Sequence, residues 1–244
     1  MFSIFKSKPI LASLLPNNYV DIHSHVLPGI DDGAKDINDT EFLLTEMTKL
    51  GFSKVIATPH TIKTVWNNTT KTITAAKELT HDKLNNLSEK LRLNAASEYM
   101  MDDSFLSLLK NEKLLTLKDN YVLVEMSYLN PPIQLFDILF ELQVEGYIPV
   151  LAHPERYNFY HTDFKQYEKL KKAGCLFQMN LLSSTGYYGK GVLATADKLL
   201  ANHMIDYVGS DIHHKNHIQA FQNKVQLKSI ATFTETMLNN SFFS

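Results

Sequence analysis

The feature that most restricts how this chain folds is a repeated alternation, in which short β-rich runs are separated by stretches with helical spacing. Strands are predicted at Tyr19–His23, Lys54–Thr58, Leu93–Ser97, Tyr121–Glu125, Ile148–Ala152, Cys175–Asn180 and Asp206–Ser210. Several are nearly continuous apolar runs, the pattern of strands covered on both faces. Between the first two, "NDTEFLLTEMTKLGF" sets Phe42, Leu43, Met47 and Leu50 on one helical face, with Gly51 as the stop. Between the next two, Ile73, Ala76, Leu84, Leu87 and Leu91 keep near-helical spacing, and His81 falls off that stripe and reads as solvated. Helical patterns also cover Ile133–Glu145, Thr162–Ala173 and Val192–Asn202. Seven β-then-α units with no Ser/Gly linker, low-complexity tract or strict repeat predict one α/β domain with a parallel, barrel-like sheet ringed by helices. The length, 244 residues, is usual for an α/β barrel built as one unit.

In such folds chemistry gathers at the carboxyl ends of the strands, where the loops converge on one mouth. The first run ends in His23 and His25, the second in "TPH" with His60, the third at Glu98 and the fourth at Glu125. The fifth ends in "AHPER" with His153 and Arg156, and the seventh in "SDIHH" with Asp211 and His213; Asp32 lies in the loop after the first. Residues i and i+2 on extended backbone point the same way, so His23/His25 and Asp211/His213 each offer two groups to one place. Imidazole nitrogens with carboxylate oxygens suit Mn, Fe or Zn, and the absence of thiolates argues against a structural zinc knot. His161, His203, His214 and His217 do not fit the strand-end pattern and read as surface or supporting residues.

Composition removes several alternatives. The net charge is −2, Arg92 and Arg156 are the only arginines, and no basic stripe marks a nucleic-acid surface. Cys175 is the only cysteine, so no internal disulfide forms and a cytoplasmic setting is expected. No arginine follows it in "LFQMNLL", which excludes a cysteine-based phosphatase, and its apolar run marks a buried strand thiol. Residues 1–18, "MFSIFKSKPILASLLPNN", are broken by Pro9 and Pro16 and read as a short packing arm rather than a signal peptide or membrane span. In "PGIDDG" a turn is expected, with Gly33 supplying a positive φ and Asp31 a turn residue; no glutamate closes an EF-hand loop. Tyr157, Tyr160, Tyr187 and Tyr188 read as rim packing ahead of substrate contacts.

On "DIHSHVLPGIDDG", "TPH", "SEYMMD", "LVEMS", "AHPERY" and "GSDIH", the chain resembles the PHP superfamily. It is most similar to the bacterial tyrosine phosphatases encoded with capsule and exopolysaccharide genes, the CpsB/CapC type. The pieces run in the family's order from Tyr19 to about Lys228. The resemblance implies a distorted seven-stranded (β/α)7 TIM-like barrel, with residues 19–244 as one PHP domain, holding three divalent metal ions through nine ligands. Manganese is expected first, with iron or zinc as alternatives. His23, His25, Glu98 and Asp211 would hold one ion. Glu98 would bridge to a second, bound also by Glu125 and His153, while Asp32, His60 and His213 would hold the third. Arg156 would grip the phosphate. Histidinol-phosphate phosphatases and several nuclease-type members usually carry histidine where this chain has Asp32, so Asp32 and Glu125 lean towards the tyrosine phosphatases. Pneumococcal-type members often carry a further arginine after the last motif. Here "HHKNHIQAF" offers only Lys215, a point charge without the bidentate fork, as the second substrate-binding cation.

The implied reaction is hydrolysis of phosphotyrosine by a metal-activated hydroxide, with Arg156, Asp211 and His153 in catalytic roles. The implied substrate is the tyrosine-rich tail of a bacterial tyrosine kinase that controls capsule or exopolysaccharide synthesis. A small-molecule phosphatase, such as one acting on histidinol phosphate, is the enzyme alternative; a catalytically silent metal-binding module is the alternative from another class. A homo-oligomer is left open.

Overall fold

A computed structural model of the chain describes residues 7–244. Strands β1 (Tyr19–Asp21), β2 (Phe52–Ala57) and β4 (Asn94–Ala95) form one parallel sheet in the order β1-β2-β4. A second, six-stranded parallel sheet runs β3-β5-β6-β7-β8-β9: His60–Thr61, Glu98–Met100, Tyr121–Glu125, Ile148–Ala152, Leu176–Asn180 and Tyr207–Gly209. The second and third of the seven expected runs are thus each continued, after a break, by a further short strand, β3 and β5, beyond the expected end. Pro59 explains the first break, because it has no N–H for the ladder and β2 stops just before it. The partner run breaks opposite. Ala96 N–H still reaches the Ala57 carbonyl (2.8 Å) and Glu98 N–H the Pro59 carbonyl (3.1 Å), so hydrogen bonding between the two runs continues along the break. On the far side Asp211 N–H donates to the His23 carbonyl (2.7 Å) and His25 N–H to the Ile212 carbonyl (2.9 Å).

Helix α1 (Ile37–Lys49) begins where the Asp36 carboxylate accepts from the amides of Asn38 (2.8 Å) and Asp39 (3.0 Å), and Gly51 at φ +92° turns the chain after it. Its buried stripe is Thr40, Leu43, Leu44 and Met47, whereas Phe42, expected on that face, is exposed. The single helix expected across Ile73–Leu91 is two, α2 (Thr70–Lys83) and α3 (Asn85–Lys90), parted at Leu84 with φ −127° and ψ 41°. His81, expected in solvent, is half-buried with Nε2 3.2 Å from the Leu93 carbonyl. Three short helices were not legible in the periodicity: α4 (Phe105–Asn111), α8 (Lys215–Ala220) and α9 (Ile230–Leu238). Between them α5 (Leu135–Val144), α6 (Lys165–Lys172) and α7 (Lys190–Ala201) fall within two or three residues of expectation.

The larger apolar core lies between strands and helices. A smaller cluster, including Val20, Ile22, Ile56, Leu123, Val150 and Phe243, packs apart from it. Phe243 is fully buried against Tyr121 and Tyr207, with ring centroids 5.8 and 4.9 Å away, so the C-terminal turn caps the strand bundle at the end where the strands start. The first six residues of the expected arm lie outside the described residues. In its remainder Leu11 is fully buried and its N–H donates to the Asn223 carbonyl (3.0 Å). No helix among the described residues is long and apolar enough to cross a membrane.

Candidate metal centre

The carboxyl ends of the strands bring all nine residues singled out in the sequence to one place. Four overlapping groups have ligand-type atoms within 4.8 Å of one another: His25/Asp32/His60/His213, His23/Glu98/His153, His23/His25/Asp211 and His60/Glu98/Glu125. Glu98 is central. Its Oε2 lies 3.2 Å from His23 Nε2, 3.4 Å from His25 Nε2 and 3.1 Å from His60 Nδ1, and its Oε1 lies 3.0 Å from His153 Nε2. Glu125 joins through its Oε1, 2.7 Å from His60 Nδ1. Asp32, the most exposed member, lies 3.5 Å from both His60 and His213.

Backbone conformation aims two of these side chains. His153 (φ +37°) and Asp211 (φ +52°) both occupy the left-handed region immediately or shortly after a strand, a conformation that costs about 1–3 kcal/mol for such residues. His153 also precedes Pro154, which resists a right-handed continuation. Gly33 departs from the expected turn role, since its φ is not positive. It is small because a Cβ there would sit 2.0 Å from the His25 carbonyl oxygen. Asp31 is more than a turn residue: its Oδ2 accepts from His25 Nδ1 (2.7 Å) and from the His60 amide (3.2 Å).

Electrostatics divide the histidines. Burial opposes charge on His23, but Glu98 and Asp211 outweigh it and push the imidazole up to about 10. His60 and His213 are likewise raised against burial, by Glu98 and Glu125 and by Asp211 and Asp32 respectively. Burial prevails at His153, which is held down to about 4. Among the acids, burial followed by repulsion from Glu98 pushes Glu125 up to about 7. Asp211 falls well below the usual carboxylate range despite burial, because His23, His213 and Arg156 surround it. Carboxylates and imidazoles gathered in one largely buried cluster fit divalent cations, and no thiolate competes. Among the described residues the buried Nδ1 of His153 has no hydrogen-bond partner.

The mouth above the cluster is a cavity of about 250 Å³ whose walls include His153, Asp211, His213, Arg156, Tyr128 and Tyr188. Arg156 Nη1 donates to Asp211 Oδ2 (2.8 Å), and its guanidinium lies between the rings of Tyr128 (4.7 Å) and Tyr188 (4.3 Å). Tyr188 thus faces the cavity. Tyr157 is packing, its hydroxyl accepting from the Met126 amide (2.9 Å) and donating to the Ala152 carbonyl (3.2 Å). Tyr160 packs on Tyr167, and Tyr187 stands edge-on to His217. Tyr128 escaped the sequence reading; its hydroxyl is 3.3 Å from His153 Nε2, and only its place just after the fourth strand could have signalled it. Lys215 does not line this cavity. It borders an adjoining one with Asp32, His213 and His214. His217 is buried beside His213, whose amide donates to its Nδ1 (3.2 Å), and His161 bonds the Glu155 carbonyl through Nε2 (2.8 Å).

Fold and site together define a parallel α/β protein with a buried multi-histidine, multi-carboxylate centre at its strand ends. The family model for capsular polysaccharide synthesis, CpsB/CapC, matches residues 19–239, and the chain belongs to that family. The match extends past Lys228, the limit of the motif resemblance. The chain is 30% identical over 195 residues to the tyrosine-protein phosphatase YwqE of Bacillus subtilis, covering 80% of this chain and 77% of that protein. It is 26% identical over 200 residues to the tyrosine-protein phosphatase CpsB of Streptococcus pneumoniae, covering 80% and 82%. One solved chain, described among crystal structures of YwqE from Bacillus subtilis and CpsB from Streptococcus pneumoniae as metal-dependent tyrosine phosphatases, superposes with a TM-score of 0.75 at 29% identity over 83% of this chain and 84% of the other. An amidohydrolase from Mycoplasma synoviae shares the fold alone, with a TM-score of 0.51 at 14% identity over 92% and 81%.

Proposed function

We propose that this chain is a metal-dependent protein-tyrosine phosphatase of capsule or exopolysaccharide synthesis, acting on the phosphotyrosine tail of a bacterial tyrosine kinase in the cytoplasm. The observation that carries the reading is the convergence of nine imidazole and carboxylate side chains beneath a cavity that Arg156 helps to line. The family and the names of its relatives point the same way. In this reading the two parallel sheets make one distorted seven-stranded barrel within a single domain, residues 19–244. His23, His25, Asp32, His60, Glu98, Glu125, His153, Asp211 and His213 hold three divalent ions, manganese first.

Divalent cations held there supply Lewis acidity and lower the pKa of water from about 15.7 towards about 7. The chain does the rest. The cavity admits an aryl phosphate, and Arg156, its plane fixed by Tyr128 and Tyr188, neutralises charge on the phosphoryl oxygens. Asp211 orients Arg156 as well as serving the cluster. A water oxygen that has given up one proton to solvent forms the new bond to phosphorus as the bond to the tyrosine oxygen breaks, and tyrosine leaves as a phenolate that takes a proton from solvent. With a pKa of about 10, that phenolate needs no strong general acid. Lys215 stands beside Asp32 and His213, as an outer cation for substrate lying past the cavity. Comparing rates on a phosphotyrosine peptide and on histidinol phosphate, with Mn2+ present, tests the reading. Faster turnover of the peptide is expected; preference for the metabolite sinks it in favour of a small-molecule phosphatase, and no hydrolysis of any aryl phosphate in favour of a silent module.

A further inference from the structure

Strand β8 is the one predicted run that delivers no ligand-type side chain, yet its residues Gln178 and Asn180 are fully buried. They alternate with Phe177 and Met179, which belong to the main apolar core, so the two amides share the opposite side of the strand. Their hydrogen bonds run in a single direction, and one backbone group sets it. Gln178 Nε2 lies 2.8 Å from the Met179 carbonyl oxygen, which can only accept, so the amide nitrogen must point there. That leaves Gln178 Oε1, which can only accept, 2.6 Å from His23 Nδ1. His23 must therefore carry a proton on Nδ1, and its Nε2 faces Glu98 (3.2 Å) and Asp211 (3.3 Å). Gln178 Nε2 also donates to Asn180 Oδ1 (3.1 Å), so Asn180 Nδ2 is the atom 2.6 Å from Asp211 Oδ2. Arg156 Nη1 donates to that same oxygen (2.8 Å), leaving Asp211 Oδ1 turned to His23 Nε2 and His25 Nε2 (3.5 Å).

We propose that Gln178 and Asn180 are positioning residues of the cation centre: Gln178 fixes the tautomer and ring orientation of His23, and Asn180 selects which oxygen Asp211 turns to the cluster. An amide suits both positions because it donates and accepts at once and adds no negative charge to a site already holding Glu98, Glu125 and Asp211. The neighbouring strand makes room for the arrangement. A Cβ at Gly209 would come within 2.6 Å of His23 Cβ and 2.7 Å of Gln178 Nε2, so any side chain there would force the pair apart.

The proposal rests on the metal-centre reading, and its test separates the two. Mn2+ affinity is measured by titration calorimetry on the chelator-treated full chain, wild type and variants, with thermal unfolding of each apoprotein alongside. Gln178→Met keeps the side-chain length and removes the acceptor; Asn180→Ala removes the donor to Asp211. Each is expected to weaken Mn2+ binding by about 10–100-fold while the apoprotein melts near wild type. Met179→Leu, on the other side of the same strand, is expected to leave affinity unchanged. Should Gln178→Met fail to fold, Gln178→Asn stands in, since it keeps the amide but withdraws it from His23. Wild-type affinity in the Gln178 and Asn180 variants overturns the proposal while leaving the metal centre intact, as does an equal loss in Met179→Leu. A wild-type chain that takes up no Mn2+ overturns the metal-centre reading and this proposal with it.

Discussion

His153 and Asp211 combine strained backbone with central positions in the cluster, which makes them the sharpest residues to alter. Alanine at either is expected to abolish phosphotyrosine turnover while circular dichroism remains that of a folded chain; turnover within twofold of wild type would refute their roles. Arg156→Lys keeps the charge but loses the planar fork held between Tyr128 and Tyr188, and kcat/KM on an aryl phosphate is expected to drop by about 10²-fold. Cys175 supplies the opposite control. Burial pushes its thiol up to about 12 from an ordinary value of 9.0, so the native thiol stays protonated at pH 9 where an unfolded one is half ionised. Iodoacetamide at pH 9 should label native protein far more slowly than denatured protein, and Cys175→Ala should retain full activity. Rapid native labelling accompanied by inactivation would contradict both statements. Eight strand-end imidazoles and carboxylates were legible because their types are costly to place in a protein interior without a purpose, and exposed Asp32 through its loop just after the first run. Tyr128, Gln178 and Asn180 were not, because an aromatic or an amide in an apolar setting has no distinctive spacing.

Strand and helix boundaries show what periodicity can and cannot deliver. The runs at Tyr121–Glu125 and Ile148–Ala152 match the structure residue for residue, since both are apolar and covered on both faces. The breaks after β2 and β4, and the strands β3 and β5 beyond them, escape periodicity because Pro59 interrupts a ladder, and a ladder is a property of two strands together. Helices α4 and α8 are seven and six residues long, too short for a stripe to declare itself. The C-terminal turn is a further case: nothing in "NNSFFS" announces that Phe243 becomes a buried plug against Tyr121 and Tyr207. Phe243→Ala is expected to cost about 3–5 kcal/mol in urea unfolding while leaving Mn2+ affinity unchanged, because the plug is remote from the strand ends. Loss of metal binding at unchanged stability would contradict that division between the two ends of the strands.

Taken as one molecule, the chain carries a buried cluster whose charge balance depends on what binds it. His23, His60 and His213 are raised above the ordinary histidine value, so at pH 7 the metal-free chain retains protons that a cation must displace. The sign follows: cation binding releases protons, and apparent affinity rises with pH up to about 10, the value for His23, by about tenfold per pH unit for each proton released. Calorimetry in buffers of different ionisation enthalpy should register that release, and pH-independent binding would contradict it. The alternation of β and α units made the fold class legible, but how the two sheets meet depends on hydrogen bonds that no local pattern encodes. Chelator-treated protein assayed on a phosphotyrosine peptide while Mn2+ is titrated back decides whether the clustered side chains work as a cation centre. Activity should vanish on chelation and return with added Mn2+; turnover that persists undiminished in the metal-free chain would show that these imidazoles and carboxylates were gathered for something else.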